Sequence, residues 1–310
     1  MMAQHLLVVG GNGFLGSNVC KAAVAKGWKV TSISKSGKPY ISSSGHTPAW
    51  TKQVNWNAAS ANEPKTYAHL LPGVTSVVHT LGILLEGKYK AGIGGALSAL
   101  ATAHSPNPLK KGGSDSYEAI NRDSAISVLN TLLDVPSDNE RAFAYISAAD
   151  IFRPLIPERY ITSKREAEYA IQLRSKAEGS HLRALLFRPG FMFHPHTRPF
   201  STPVASLLDL CATLSSCVPS FLPSPPRILR TLPFGQVQGM SPAAHAMANA
   251  LETRPMHVES VARAICAAIE LDSVSGVIDV DRMRELIGWD QNKAAHHDAP
   301  ASDTSLPDNA

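Results

Sequence analysis

Tyr160 and Lys164 stand four positions apart in Tyr160-Ile161-Thr162-Ser163-Lys164, so on a helix the phenol and the ammonium share one face, a turn apart. That pairing suits proton exchange with a carbonyl or an alcohol. The ammonium stabilises a phenolate and is expected to draw the tyrosine pKa down from about 10 toward neutrality. Ser147 lies thirteen positions upstream, where its hydroxyl can hydrogen-bond an oxygen on which negative charge develops. Ser147, Tyr160 and Lys164 are therefore the candidate catalytic set. A second reading of the same residues keeps Tyr160 and Lys164 as walls of a ribose pocket without turnover. The Y-x-x-x-K pattern recurs in unrelated helices, so its weight comes from what precedes it in the chain.

What precedes it is a glycine run, Gly10-Gly11-Asn12-Gly13-Phe14-Leu15-Gly16, between an apolar strand and a helix. In that setting Gly10 permits the tight turn and Gly13 lets the backbone approach a pyrophosphate. Gly16 allows close packing of the helix, whose N-terminal N–H groups face the phosphates. The second strand lacks the acidic residue that usually holds ribose hydroxyls and ends instead in Ser34-Lys35-Ser36-Gly37. A cation flanked by hydroxyls suits a 2′-phosphate, which favours NADP(H) over NAD(H), the latter remaining possible; the bland reading makes Lys35 a solvated loop lysine. Asn57, expected just after the third strand, is placed either to meet the adenine edge or to form a turn. Thr80, Leu81 and Gly82 after the fourth strand, and Arg188 and Pro189 after the sixth, stand at carboxyl ends of strands and complete the expected cofactor contacts. Asn121 either orders a water or kinks its helix near the site, or lies on a helix surface.

These residues need a parallel sheet to position them. Apolar runs at Leu6–Val9, Lys29–Ser34, Val54–Trp56, Ser76–His79, Phe143–Ser147 and Ala184–Phe187 alternate with helical stretches, the rhythm of βαβ units. The expected fold is α/β, a Rossmann doubly wound parallel sheet with a small C-terminal substrate-side region. The expected divisions are a nucleotide-binding domain over 1–195, a substrate-side region over 196–289 whose helix at Val258–Leu271 returns to the core, and a disordered polar tail over 290–310. Glu86–Ser116 is read as a lid or insertion. Pro219–Pro242 is read as irregular, and Val204–Leu222 as an apolar pocket wall that could also rest on a membrane surface.

Composition excludes several other classes. The net charge of +4 over 310 residues is scattered, with Lys110-Lys111 and Lys164-Arg165 the adjacent basic pairs, so nucleic acid is not implied. The four cysteines, Cys20, Cys211, Cys217 and Cys266, form neither a C-x-x-C nor a dense framework, which points to buried thiols in a reduced compartment. His194-Pro195-His196 has no nearby cysteine or carboxylate in sequence and is read as loop histidines, so no metal is expected. Arg153 and Arg165 either pair with an acidic substrate or are solvated. No apolar run reaches the roughly 18 residues of a membrane span. With the first strand starting near residue 5, no presequence is expected.

The glycine run, the string Val30-Thr31-Ser32-Ile33-Ser34-Lys35-Ser36-Gly37 and the string Tyr160-Ile161-Thr162-Ser163-Lys164-Arg165-Glu166-Ala167-Glu168 together resemble the atypical, extended-like short-chain dehydrogenase/reductases. Within them the chain is most similar to the fungal mitochondrial coenzyme Q biosynthesis branch, relatives of the NADPH-binding accessory subunit of respiratory complex I. The resemblance covers about residues 1–200 and Pro255–Gly288. It implies a place on the matrix face of the mitochondrial inner membrane, a multi-protein coenzyme Q synthesis complex as partner and a lipophilic quinone or quinone precursor as substrate. It also implies the phosphate role for Gly10, Gly13 and Gly16, a basic residue at Lys35 and a retained Tyr160–Lys164 pair. Three readings stand: an NADP(H)-dependent oxidoreductase, a non-catalytic nucleotide-binding assembly factor, and a nucleotide-sugar epimerase or dehydratase. The apolar, proline-rich Val204–Pro233 stretch argues against the last.

Overall fold

His5 to Val9 form strand β1, buried at every position, as a central strand covered on both faces must be. Strands β2 (Lys29–Ser34), β3 (Val54–Ala58), β4 (Ser76–His79), β5 (Arg141–Ile146), β6 (Leu182–Phe187) and β9 (Gly276–Ile278) join it in one parallel sheet of order β3-β2-β1-β4-β5-β6-β9. This computed structural model describes residues 4–82, 116–153, 156–199, 201–218, 224–231 and 240–289. The strand order reverses between β1 and β4, so the carboxyl ends of these two strands diverge to leave a crevice, the usual ligand position in open α/β sheets.

Helices cover both faces of the sheet. Helix α1 (Phe14–Ala25) packs on one face beside the later helix Val258–Glu270, around a core that includes Leu6, Val8, Val19, Cys20, Ile265 and Cys266. On the other face helix α2 (Ser124–Leu133) and helix α3 (Glu158–Ser175) bury Val128, Leu129, Ala167 and Ile171 against Leu7, Val77, Phe143 and Tyr145. Toward the C-terminus run α4 (Ser201–Cys217), α5 (Pro225–Thr231), α6 (Met240–Glu252), α7 (Val258–Glu270) and α8 (Val280–Leu286). A short parallel ribbon, β7 (Met192–Phe193) with β8 (Met256–His257), ties the segment after β6 to the start of α7.

Several sequence expectations change. The third strand runs on through Ala58, so Asn57 lies within it, paired with Ile33 of β2. The stretch expected to be irregular holds α5 and the start of α6; Pro225 and Pro226 sit in the first turn of α5, where a missing N–H breaks no helical bond. The apolar stretch read as a pocket wall or as a surface resting on a membrane forms α4 over Ser201–Cys217, with Val204, Leu207, Leu210 and Leu214 exposed and Ala205, Leu208 and Ala212 buried. Among the described residues no helix is long and apolar enough to cross a membrane. The expected lid (residues 86–115) and tail (290–310) lie outside the described residues.

One polar device in the interior has no sequence signal. Arg183, buried on β6, donates from Nη1 to the carbonyls of Ala268 (2.9 Å), Leu271 (3.0 Å) and Val274 (2.9 Å) and from Nη2 to Ile269 (2.8 Å). These are carbonyls at and just beyond the C-terminal turn of α7 that have no helical partner. Arg183→Met should therefore destabilise the fold by about 2–4 kcal/mol, since the buried carbonyls of Ala268, Ile269 and Val274 lose this donor at once, Leu271 O keeping the N–H of Val274. Urea unfolding measures this, and a change too small to resolve would mean that water replaces the guanidinium.

Candidate functional site

The chain turns sharply where β1 ends. Gly10 has φ +87° and donates its N–H to Ile33 O at 2.8 Å; a β-carbon there would lie 2.8 Å from Thr80 Oγ1. At Gly16 a β-carbon would fall 2.2 Å from Gly10 O, so the first turn of α1 closes onto the glycine turn only because nothing occupies that space. Gly13 opens α1 in extended conformation, and the first turn holds no acidic side chain to compete for its N–H groups. Gly11 and Leu15 serve packing: a β-carbon on Gly11 would strike Ser32 Oγ at 2.3 Å, and Leu15 is buried in the core. Asn12 reaches sideways, donating from Nδ2 to Ser36 Oγ (3.0 Å) and Lys38 O (3.4 Å). It thereby holds the segment after β2, including exposed Lys35, beside the glycine turn. Ser34 Oγ accepts the N–H of Gly37 at 3.1 Å. Asn57 donates its amide back to Asn55 O within β3 at 3.1 Å.

The second half of the site forms at β4, β5 and α3. Lys164 is 1% exposed, and its ammonium donates to Leu81 O (3.0 Å) and Ile146 O (2.8 Å) at the carboxyl ends of β4 and β5. It also lies 4.8 Å from the centre of the Tyr145 ring. A β-carbon on Gly82 would come within 3.0 Å of Nζ. Burial pulls the Lys164 pKa down to about 7, with the Glu168 charge pulling the other way. Tyr160, in the first turn of α3, stands edge-on to Tyr117 with ring centroids 6.1 Å apart. Burial and Tyr117 push its phenol up to about 12, and Arg165 pulls it down. The expected depression of the Tyr160 pKa by Lys164 is thus not found: the ammonium is aimed at two carbonyls and the phenol keeps its proton at neutral pH.

Ser147 follows β5 directly. Its Oγ accepts a hydrogen bond from Arg165 Nη1 at 2.9 Å. Arg165 also pairs with Glu168 and donates to Ala148 O. Arg188 closes the group from the end of β6, donating from Nε to Glu168 Oε1 at 3.0 Å and from Nη2 to Oε2. Glu168 is 3% exposed. Burial works against its charge, but the hydrogen bonds from Arg188 and Ser147 and the Arg165 charge hold its pKa below the ordinary value. Arg165 is therefore engaged by Glu168, Ser147 and Ala148 and not free for an acidic substrate. The Arg188 guanidinium is thus bound to Glu168, while the backbone of Arg188 and Pro189, expected to border the cofactor, follows β6, with Pro189 O accepting from Ala149 N. Arg153 pairs with Asp150 at 2.7 Å.

Asn121 is fully buried in a π-helical turn, Glu118–Asp123, that runs into α2. Its amide donates to Ser163 Oγ (3.2 Å) and its carbonyl accepts the Tyr145 hydroxyl (2.6 Å). The reading of Asn121 as a helix kink near the site holds over that of a surface residue. Sequence reasoning passed over Glu168, Tyr145 and His79; the spacing of Lys164 and Glu168, one turn apart on α3, was the available signal. His79 is buried at the end of β4 against Ser124 Oγ (3.0 Å), and burial and Lys164 lower its pKa to about 3, so it stays neutral. Among the described residues no cluster of three or more His, Cys, Asp or Glu could hold a metal ion.

A dinucleotide suits this set. The close packing that Gly10 and Gly16 permit sets the N-terminus of α1, with no acidic side chain in its first turn, at the end of β1, where a pyrophosphate would meet its N–H groups. Lys164 and Tyr160 stand across the crevice from it, where a nicotinamide ribose would lie.

Comparison with known proteins agrees with this architecture. Residues 6–83 match the model of the NAD dependent epimerase/dehydratase family. The chain is 40% identical over 212 residues to MIOREX complex component 2 of Saccharomyces cerevisiae, covering 63% of this chain and 75% of that one. It is 24% identical over 288 residues to an uncharacterized chloroplastic protein of Arabidopsis thaliana, covering 91% and 77%. Among solved structures, a UDP-glucuronic acid 4-epimerase from Bacillus cereus in complex with NAD superposes with a TM-score of 0.51 at 14% identity, covering 89% and 77%. A short-chain type dehydrogenase/reductase from Mycobacterium ulcerans gives 0.51 at 17%, covering 90% of each chain. At these identities the two structures speak for the fold.

The lysine makes stability depend on pH. Its folded pKa of about 7 lies below its ordinary 10.5, so between those values the unfolded chain binds more protons than the folded one. The Lys164 contribution is therefore least favourable below pH 7 and improves as pH rises through the window. The stability advantage of Lys164→Met over the natural chain, followed by urea unfolding, should shrink across that window; a difference independent of pH would place the ammonium in contact with water.

Proposed function

The chain belongs to the atypical short-chain dehydrogenase/reductases together with its yeast relative, and from that premise we propose that it is an NADP(H)-dependent oxidoreductase acting on a lipophilic quinone or quinone precursor. The observation that carries this reading is the burial of Lys164 one helical turn from Tyr160. A lysine at 1% exposure is an expensive way to bind two carbonyls, and a site that must exchange protons near neutral pH is a reason to keep one.

In this reading the turn from Gly10 to Gly16 cradles the pyrophosphate, Lys35 and Ser36 meet a 2′-phosphate, and Lys164 holds the nicotinamide ribose hydroxyls. Bound there, the dinucleotide supplies a hydride donor or acceptor. Tyr160 Oη, protonated at neutral pH, gives its proton to the oxygen of a carbonyl being reduced and recovers one in the reverse direction. A charged Lys164 near the ribose lowers the cost of the phenolate that remains. Ser147 hydrogen-bonds the same oxygen once its hydroxyl turns from the Arg165–Glu168 pair. The apolar outward face of α4 suits peripheral contact with a membrane in which such a substrate dissolves. By resemblance, the place of action is the matrix face of the mitochondrial inner membrane.

A second reading rests on its own observation. Ser147 is engaged by Arg165 and Glu168, and the yeast relative is named as a component of a complex. The protein would then bind a dinucleotide as a structural ligand within a quinone-synthesis assembly.

Two experiments separate these. Calorimetric titration should show NADPH bound in preference to NADH, with Lys35→Asp reversing the preference; equal affinity for both in the natural chain would remove Lys35 from the site. Tyr160→Phe should retain NADPH binding and lose hydride transfer by at least about 100-fold, the scale of general acid catalysis. If that variant fully restores growth to a quinone-deficient strain, the assembly reading takes its place.

A further inference from the structure

The crossover from β2 to β3 contains no α-helix. Residues 35–48 run as an irregular strap through Gly37, Pro39, Gly45 and Pro48, ending in a 3₁₀ turn at Ala49–Gln53. A second helix would ordinarily lie beside α1 here. The strap instead stands off from α1, pinned by Asn12 at one end and by a hydrogen bond from Ser43 Oγ to His196 O (3.4 Å) further along. Between them opens a cavity of about 520 Å³, closed on the far side by the 194–198 loop and the start of α7.

We propose that this cavity is a second ligand site, separate from the dinucleotide crevice, for a small aromatic anion. It lies along the outer side of α1, against Ser17 and Lys21, whereas the crevice lies over the strand ends at Thr80, Gly82 and Lys164; only the glycine turn borders both. One wall is aromatic: Tyr40 and Trp50 stack at 6.0 Å and 22°, offering a flat apolar surface to a ring. The charge is positive. Lys21 and Arg198 line the cavity against a single carboxylate, Glu259, which Lys21 meets at 2.7 Å. The Arg198 guanidinium carbon lies over the Phe14 ring, 4.0 Å from its centre, a contact that holds it at the rim. Thr197, also in the lining, has a buried Oγ1 with no hydrogen-bond partner among the described residues. His194, lowered in pKa by burial and by His257, whose ring lies 4.9 Å away, adds a neutral imidazole. A cavity of this size holds a small-molecule ligand, and ring wall and cations together select one that is planar at one end and acidic at the other.

The probe is 8-anilinonaphthalene-1-sulfonate, which joins an aromatic body to one anion. It should bind at one site with enhanced emission, quench Trp50 by energy transfer, and remain bound at saturating NADPH. Lys21→Met and Trp50→Leu should each weaken it by about tenfold, the effect of losing one charge-assisted contact or one stacking face, with the thermal unfolding midpoint unchanged. Lys21 is exposed, so its variant keeps the test open if Trp50→Leu fails to fold. Three outcomes overturn the proposal: displacement by NADPH, which puts the probe in the crevice; equal affinity in folded variants, which puts it elsewhere, as on the outward face of α4; and no binding.

Discussion

Glu168 carries a charge in the interior, where an unpaired carboxylate would cost several kcal/mol, and it is stable there only because Arg165 and Arg188 both reach it. The two arginines come from different places. Arg165 is on α3, three positions before Glu168, and Arg188 follows β6, so the carboxylate ties the helix bearing Tyr160 and Lys164 to the end of a sheet strand. Ser147, after β5, joins the same group through Arg165. Three elements are thereby held in register at the edge of the crevice, and the direction in which α3 presents its residues follows from that connection.

The same helix face explains the electrostatics of the site. Lys164 lies one turn before Glu168, and that negative charge partly offsets the penalty of burying the ammonium. The offset is incomplete, so the lysine stays poised near neutrality while the Tyr160 phenol is kept protonated by its apolar surroundings. A neutral His79 and the π-helical turn at Asn121 complete a layer of buried polar groups beneath the crevice. Most of these groups find partners in backbone carbonyls or hydroxyls, which gives the layer rigidity without further charge.

The opposite face of the sheet is built differently. There α1 and α7 share an apolar interface, Arg183 closes the C-terminal end of α7, and the segment after β2 is left as a strap. A face lacking one of its usual helices has room for a ligand, and the side chains bordering that room are aromatic and cationic.

How much of this was written in the sequence depends on the range of the interactions concerned. The glycine turn, the six expected strands and the helical spacing of Tyr160 and Lys164 were legible, because each rests on local sterics or on a period of two or 3.6 residues. Such rules reach only a few residues along the chain. They could not show that Glu168 meets Arg188 twenty positions away, that Arg183 meets carbonyls more than eighty positions on, or that Lys164 would turn from Tyr160 toward Leu81 and Ile146. They also misread Pro219–Pro242, where paired prolines can begin a helix as well as prevent one, and at Val204–Leu222 they showed that a face is apolar but not which way it points. By itself the sequence determined the order of the elements and the residues able to do chemistry. Which charges are buried together, and hence which of those residues are free to act, was decided by tertiary packing, because the desolvation that sets a pKa exists only once distant segments close over the group.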